Sequence, residues 1–125
     1  MKRISLFATV LILALAPAAF AQGHGHSDKG PKGGPMRDVV GIHAELVVVD
    51  RILTVHVYDE AGKPVAAKGY SGSAMVGTGQ ARQIIQLTSG NDNTLSGTAS
   101  AAVTKDAPVT LQIKAPDGKT GQAKF

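Results

Sequence analysis

The sequence predicts an all-β domain: a small antiparallel β-sandwich of immunoglobulin-like type, or a barrel, of about seven strands with a flexible N-terminal tail. Three observations carry that prediction. From Val39 onward, short runs rich in Val, Ile, Leu and Thr recur every 8–12 residues or so, with Gly, Pro, Asn and Asp between them. Several runs alternate apolar and polar residues with a period of two. No stretch repeats its apolar residues at the helical period.

The first 21 residues, MKRISLFATVLILALAPAAFA, have the form of a secretory leader. Lys2 and Arg3 precede an uncharged run from Ile4 to Leu15, and Ala19-Phe20-Ala21 supplies an A-x-A cleavage pattern. The run is 12 residues long, whereas a spanning helix needs about 20. Cleavage after Ala21, a periplasmic location and no stable membrane insertion are therefore expected. The chain has no cysteine, which rules out a lipidated N-terminus, a disulfide framework and thiolate chemistry. With Lys2 and Arg3 removed, 11 of the 13 basic residues face 9 acidic ones. Aromatics are few and no Lys/Arg cluster remains, so nucleic acid is not an expected partner. The remaining 104 residues suit one domain that buries about 60–65% of its unfolded surface.

Residues 22–38 read as a mobile tail. They hold Gly23, Gly25, Gly30, Gly33, Gly34, Pro31 and Pro35 and almost nothing apolar, so burial cannot offset the entropy of ordering them. Residues 39–125 form the folded domain. In IHAELVVV (42–49), Ile42, Ala44, Leu46 and Val48 face one way, and His43, Glu45, Val47 and Val49 the other. In ILTVHVYD (52–59), Leu53, Val55 and Val57 oppose Thr54, His56 and Tyr58. Further strands are expected in 71–78, 81–89, 94–101, 108–115 and 119–125, split by SGNDN, TKDA and PDGK.

No Ser/His/Asp arrangement, paired carboxylates, phosphate loop or zincin helix is recognisable, and an enzyme is not expected. The residue types allow metal binding. Cleavage after Ala21 would make the terminus Gln22-Gly23-His24. Its α-amine, two deprotonated amide nitrogens and the third-position imidazole make a four-nitrogen square plane, which selects Cu(II) or Ni(II) over tetrahedral Zn(II). His26 could add an axial or alternative ligand. Cyclisation of Gln22 to pyroglutamate would remove the site; the bland alternative is a solvated tail with incidental metal affinity.

A second constellation follows from sheet geometry. A two-residue turn at Asp50-Arg51 would place Glu45 opposite His56 and His43 opposite Tyr58, so that His43, Glu45 and His56 share one face. Arg at positive φ is unfavourable in such a turn, and a slip of one residue would move His56 to the other face. The competing reading is a cross-strand Glu–His charge pair contributing a few tenths of a kcal/mol. Met36 and Met75 are candidate thioether ligands for Cu(I), with Met36 preferred and Met75 expected to fill the core.

The stretch GPKGGPMRDVVGIHAELVVVDRILTVHVYDEAGKPV (30–65) resembles a segment of bacterial heavy-metal efflux adaptors, the periplasmic membrane-fusion proteins, and of small free-standing periplasmic proteins that share it. The matching positions are Gly30, Gly33, Gly34, His43, Glu45, Leu53 to Asp59 and Gly62 to Val65; Arg51 replaces the glycine usual at the turn. The resemblance implies a periplasmic, metal-associated setting and a metal-efflux component as partner. The helical hairpin of an adaptor is not evident, so the chain is not expected to be an adaptor itself. These readings converge on a periplasmic metal-binding protein working by ligand capture and exchange, with copper first and nickel, zinc or cobalt next. The alternative is an exported immunoglobulin-like or transthyretin-like module with a structural or protein-binding role and no metal.

Overall fold

The computed structural model describes residues 29–125. The predicted leader and Gln22, His24 and His26 lie outside the described residues. The described residues form eight strands: β1 (Met36–Val39), β2 (Ile42–Val49), β3 (Ile52–Tyr58), β4 (Ser71–Val76), β5 (Gln83–Ser89), β6 (Thr94–Thr98), β7 (Val109–Lys114) and β8 (Thr120–Lys124). All pairings are antiparallel, in the order β1-β2-β3-β6-β5-β4-β7-β8. The first and last strands come back together, and Arg37 Nε of β1 donates to the Lys124 carbonyl of β8 at 3.2 Å. The sheet is thus a barrel lacking only a ladder at the β1–β8 seam.

Period-two patterning builds this shape directly. Ala44 and Leu46 of β2, Leu53, Val55 and Val57 of β3, Leu95 of β6, Ala74 and Val76 of β4, and Leu111 and Ile113 of β7 point inward and are buried. The interior is aliphatic, with small residues where strands crowd. Gly97 marks one such place on β6. A Cβ there would lie 2.3 Å from the Gln86 carbonyl oxygen and 2.7 Å from Ile85 Cγ2. Beyond Ser96 the β5–β6 ladder stops, so the glycine lets β5 swing across β6 as the sheet turns its corner.

Two differences from the sequence reading concern the start of the domain and Met75. Residues 29–38 were expected in the tail, yet β1 begins at Met36 and the segment before it packs on the sheet. A Val40-Gly41 turn with φ of 47° and 80° reverses the chain into β2, the geometry of a two-residue hairpin with left-handed central positions. Met75 lies on the outer face of β4, opposite Ile84 and Thr110, because the inward positions of that strand belong to Ala74 and Val76. It is not core filler; Arg82 Nη1 sits 3.4 Å from its sulfur.

Gly97→Ala should destabilise the protein by about 1–3 kcal/mol through overpacking at the barrel corner. The expected signature is a lower urea midpoint at an unchanged m-value.

Candidate functional site

The β2–β3 register decides which side chains share a face. Asp50 takes the left-handed conformation at the turn (φ 55°) while Arg51 does not, so the unfavourable Arg geometry is avoided and no residue slips. Glu45 pairs with His56 and His43 with Tyr58, as the hairpin arithmetic requires. Adding β1 and β6 gives two rows across the outer surface of the barrel. One runs Met36–Glu45–His56–Thr94 and the next Asp38–His43–Tyr58.

Glu45 is unlike its neighbours. It sits on the outer face yet is 0% exposed, the one buried charged residue described. The lid over it is the segment GPKGGP. Residues 30–33 form a turn closed by Gly33 N–H to the Gly30 carbonyl at 2.9 Å, with Pro31 at the position proline prefers. That turn aims backbone amides at the carboxylate. Lys32 N–H donates to Oε2 at 2.9 Å and reaches Oε1 at 3.2 Å; Gly34 N–H donates to Oε2 at 2.8 Å. From β3 the Tyr58 hydroxyl donates to Oε1 at 3.0 Å. Both carboxylate oxygens are therefore saturated by charge-assisted hydrogen bonds. Glycine is needed at two points for this closeness: a Cβ on Gly30 would meet the Glu45 carboxyl carbon at 2.3 Å, and one on Gly34 the Leu46 carbonyl oxygen at 2.2 Å.

Burial, together with the hydrogen bond to Glu45 and its negative charge, pushes the Tyr58 hydroxyl up to about 12, partly countered by a hydrogen bond with Asn93. His43 Nδ1 pairs with Asp38 Oδ1 across the β1–β2 ladder. The His43 side chain is only 12% exposed and Asp38 55%. A carboxylate on Nδ1 sets the tautomer in which Nε2 carries the lone pair, the arrangement found behind metal-ligating histidines. His56 is half-buried one row along. Asp92 is held below the usual carboxylate range, first by the Thr94 hydroxyl, which donates to it at 2.6 Å, with a smaller contribution from His56.

The structure thus gathers Met36, His43, Glu45 and His56 on one face, but as separate groups. Among the described residues, no three His, Cys, Asp or Glu side chains converge as a metal-holding set. No family model, no curated protein and no solved structure matches this chain. The site accordingly stands on its own geometry.

Four partners carry no signal that the sequence reading uses: Lys32, Gly34 and Tyr58 on Glu45, and Asp38 on His43. Lys32 and Gly34 act through backbone amides, which carry no side-chain signature. Asp38 follows a glycine-rich segment whose composition argues against a strand, and Val40-Gly41 gives no turn signal because valine disfavours the positive φ it adopts there.

Glu45→Ala leaves two amides and a hydroxyl without their acceptor and should cost about 2–4 kcal/mol, with loss of hydrogen-exchange protection at Lys32 and Gly34. A raised folded-state value for Tyr58 means its contribution is complete below pH 10 and fades as pH rises toward 12. Urea titrations should show stability falling across that window, and Tyr58→Phe should remove that component of the fall.

Proposed function

We propose that the protein is a periplasmic metal-binding protein, copper-directed, in which an N-terminal histidine tail captures the ion and the outer face of β1–β3 receives it. The observation that supports this reading is the clasp on Glu45. It pins Gly30–Gly34 onto the face that carries Met36, His43 and His56, and Lys29 bridges to Pro35 at the start of β1. His26 is three residues before Lys29 and His24 five, so an extended chain brings them within about 11 and 18 Å of that point. Tail and face are tethered neighbours, which raises the effective concentration of one ligand set at the other.

In this reading Glu45 acts as the anchor of the tail, since its oxygens are engaged by backbone amides and Tyr58. His43, oriented by Asp38, is the strand ligand, with Met36 as a soft donor and His56 as the second imidazole. The two histidines of the face do not make a complete set, and the tail supplies what is missing. The square plane of the Gln22 amine, two amides and His24 favours Cu(II); Met36 and imidazole suit Cu(I). Delivery to a metal-efflux component follows from the resemblance of residues 30–65 to efflux adaptors.

Titration of the exported protein with Cu(II), after mass spectrometry of its N-terminus, tests the reading. A visible d–d band should saturate at one equivalent, and His24→Ala should abolish it. His43→Ala should leave the band but weaken retention of the ion after reduction. Affinity should decline as pH falls through about 6, because bound imidazoles must be neutral. Unchanged copper binding in both variants would refute it.

A further inference from the structure

Beside the clasp on Glu45, the barrel has an opening that none of Met36, His43 and His56 lines. β1 pairs with β2 only as far as Met36 opposite Glu45. Pro35 accepts one more bond, from the Leu46 amide at 3.0 Å, and the chain then turns away over Glu45. On the far side of the seam, Phe125 continues the β7–β8 ladder by one pair, its amide donating to the Val109 carbonyl at 2.8 Å, and β1 does not reach past Pro35 to meet it. The C-terminal half of β2 is therefore left without a strand neighbour on that side. Between it and the end of β7–β8 lies a cavity of about 520 Å³.

Its walls are aliphatic and aromatic: Leu46, Val48, Val103 and Val109 with Phe125. Its charged lining residues are Lys32 and Lys105, and no acidic side chain lines it. The two lysines come from opposite rims. Lys32 belongs to the turn clasped on Glu45, and Lys105 to the 103–107 segment, which is tied to the β2–β3 turn by Val103 N–H donating to the Asp50 carbonyl at 3.1 Å. Both rims are thus held in place, and both lysines are exposed, able to lay their stems along the apolar wall and keep the ammonium groups at the mouth.

We propose that this cavity binds a single-chain amphiphile with one anionic head group. The volume lies inside the 300–1,000 Å³ or so typical of small-molecule sites. The apolar walls take the alkyl chain, and the lysine pair takes the head at the rim. A neutral chain would leave the cationic rim unused, and a compact inorganic anion would leave the apolar wall exposed to water. The assignment does not depend on copper: Met36, His43 and His56 do not line the cavity, and Lys32 meets Glu45 through its backbone amide, which leaves its side chain for the rim.

Heteronuclear NMR of the exported protein, titrated below micellar concentrations, tests it. Decanoate and decyl phosphate carry the two head-group chemistries, fatty acid and phospholipid-derived, and whichever binds more tightly identifies the source. The expected result is saturable shifts confined to Val48, Val103–Ala107 and Phe125, with decanol at least tenfold weaker. Lys32→Gln combined with Lys105→Gln should weaken the anionic ligand at least tenfold and leave decanol unchanged. Ala107→Trp, checked for an unchanged urea midpoint, should block all three by filling the mouth. Decanol binding as tightly as decanoate, no saturation, or shifts centred on the exposed Val49, Ile52 and Ile84 would overturn the proposal.

Discussion

The carboxylate of Glu45 is the interaction on which the N-terminal third of this structure depends. A buried carboxylate is costly unless its charge is met by hydrogen bonds. Here the donors are Lys32 and Gly34 amides and the Tyr58 hydroxyl. They come from a segment with almost no apolar residue of its own. The glycine-rich turn is ordered because it solvates a charge, and the charge is tolerable because the turn covers it. Neither partner would hold its position without the other. One carboxylate thereby fixes the start of β1, the root of the tail and one rim of the seam cavity.

The barrel's closure has a different physical basis. Across most of the sheet, ladder hydrogen bonds and an aliphatic interior do the work, with Leu53, Leu95, Leu111 and Ile113 fully buried. At the β1–β8 seam no ladder forms; the joint includes the Arg37–Lys124 hydrogen bond, the Arg37 guanidinium 5.6 Å from the centre of the Phe125 ring, and close packing of Gly121 against Val39 and Val40. A short β1 closes half the seam and leaves the other half open. The opening is a consequence of strand length, since Pro35 cannot extend the ladder by donating a backbone hydrogen bond. The fold therefore carries two unlike surfaces side by side: a face rich in nitrogen, oxygen and sulfur donors, and an apolar cleft rimmed by cations.

Much of this arrangement was legible in the sequence. The alternation in 42–49 and 52–58 assigned inward and outward residues correctly, and the two-residue turn put Glu45 opposite His56. Asp50 made that register tenable by taking the positive φ itself, a conformation that aspartate tolerates better than arginine. Met75 and the segment 29–38 were read differently from what the structure shows, for a common reason. Both were judged by composition, a methionine as an apolar residue and a glycine-proline run as an unstructured one. Position along the pleat decided the first, and a partner 11 to 13 residues away decided the second.

By itself, the sequence determined the β class, the positions of most strands and the inward faces of 42–49 and 52–58, because these follow from local periodicity and turn chemistry. Tertiary structure decided that the outward-facing Glu45 is buried, that Asp38 holds His43, and that the sheet curls into a barrel with an open seam. Each of those depends on backbone groups or strand ends brought together across the fold. A backbone amide is the same in every residue but proline, so nothing in the residue types announces which amides will meet a carboxylate.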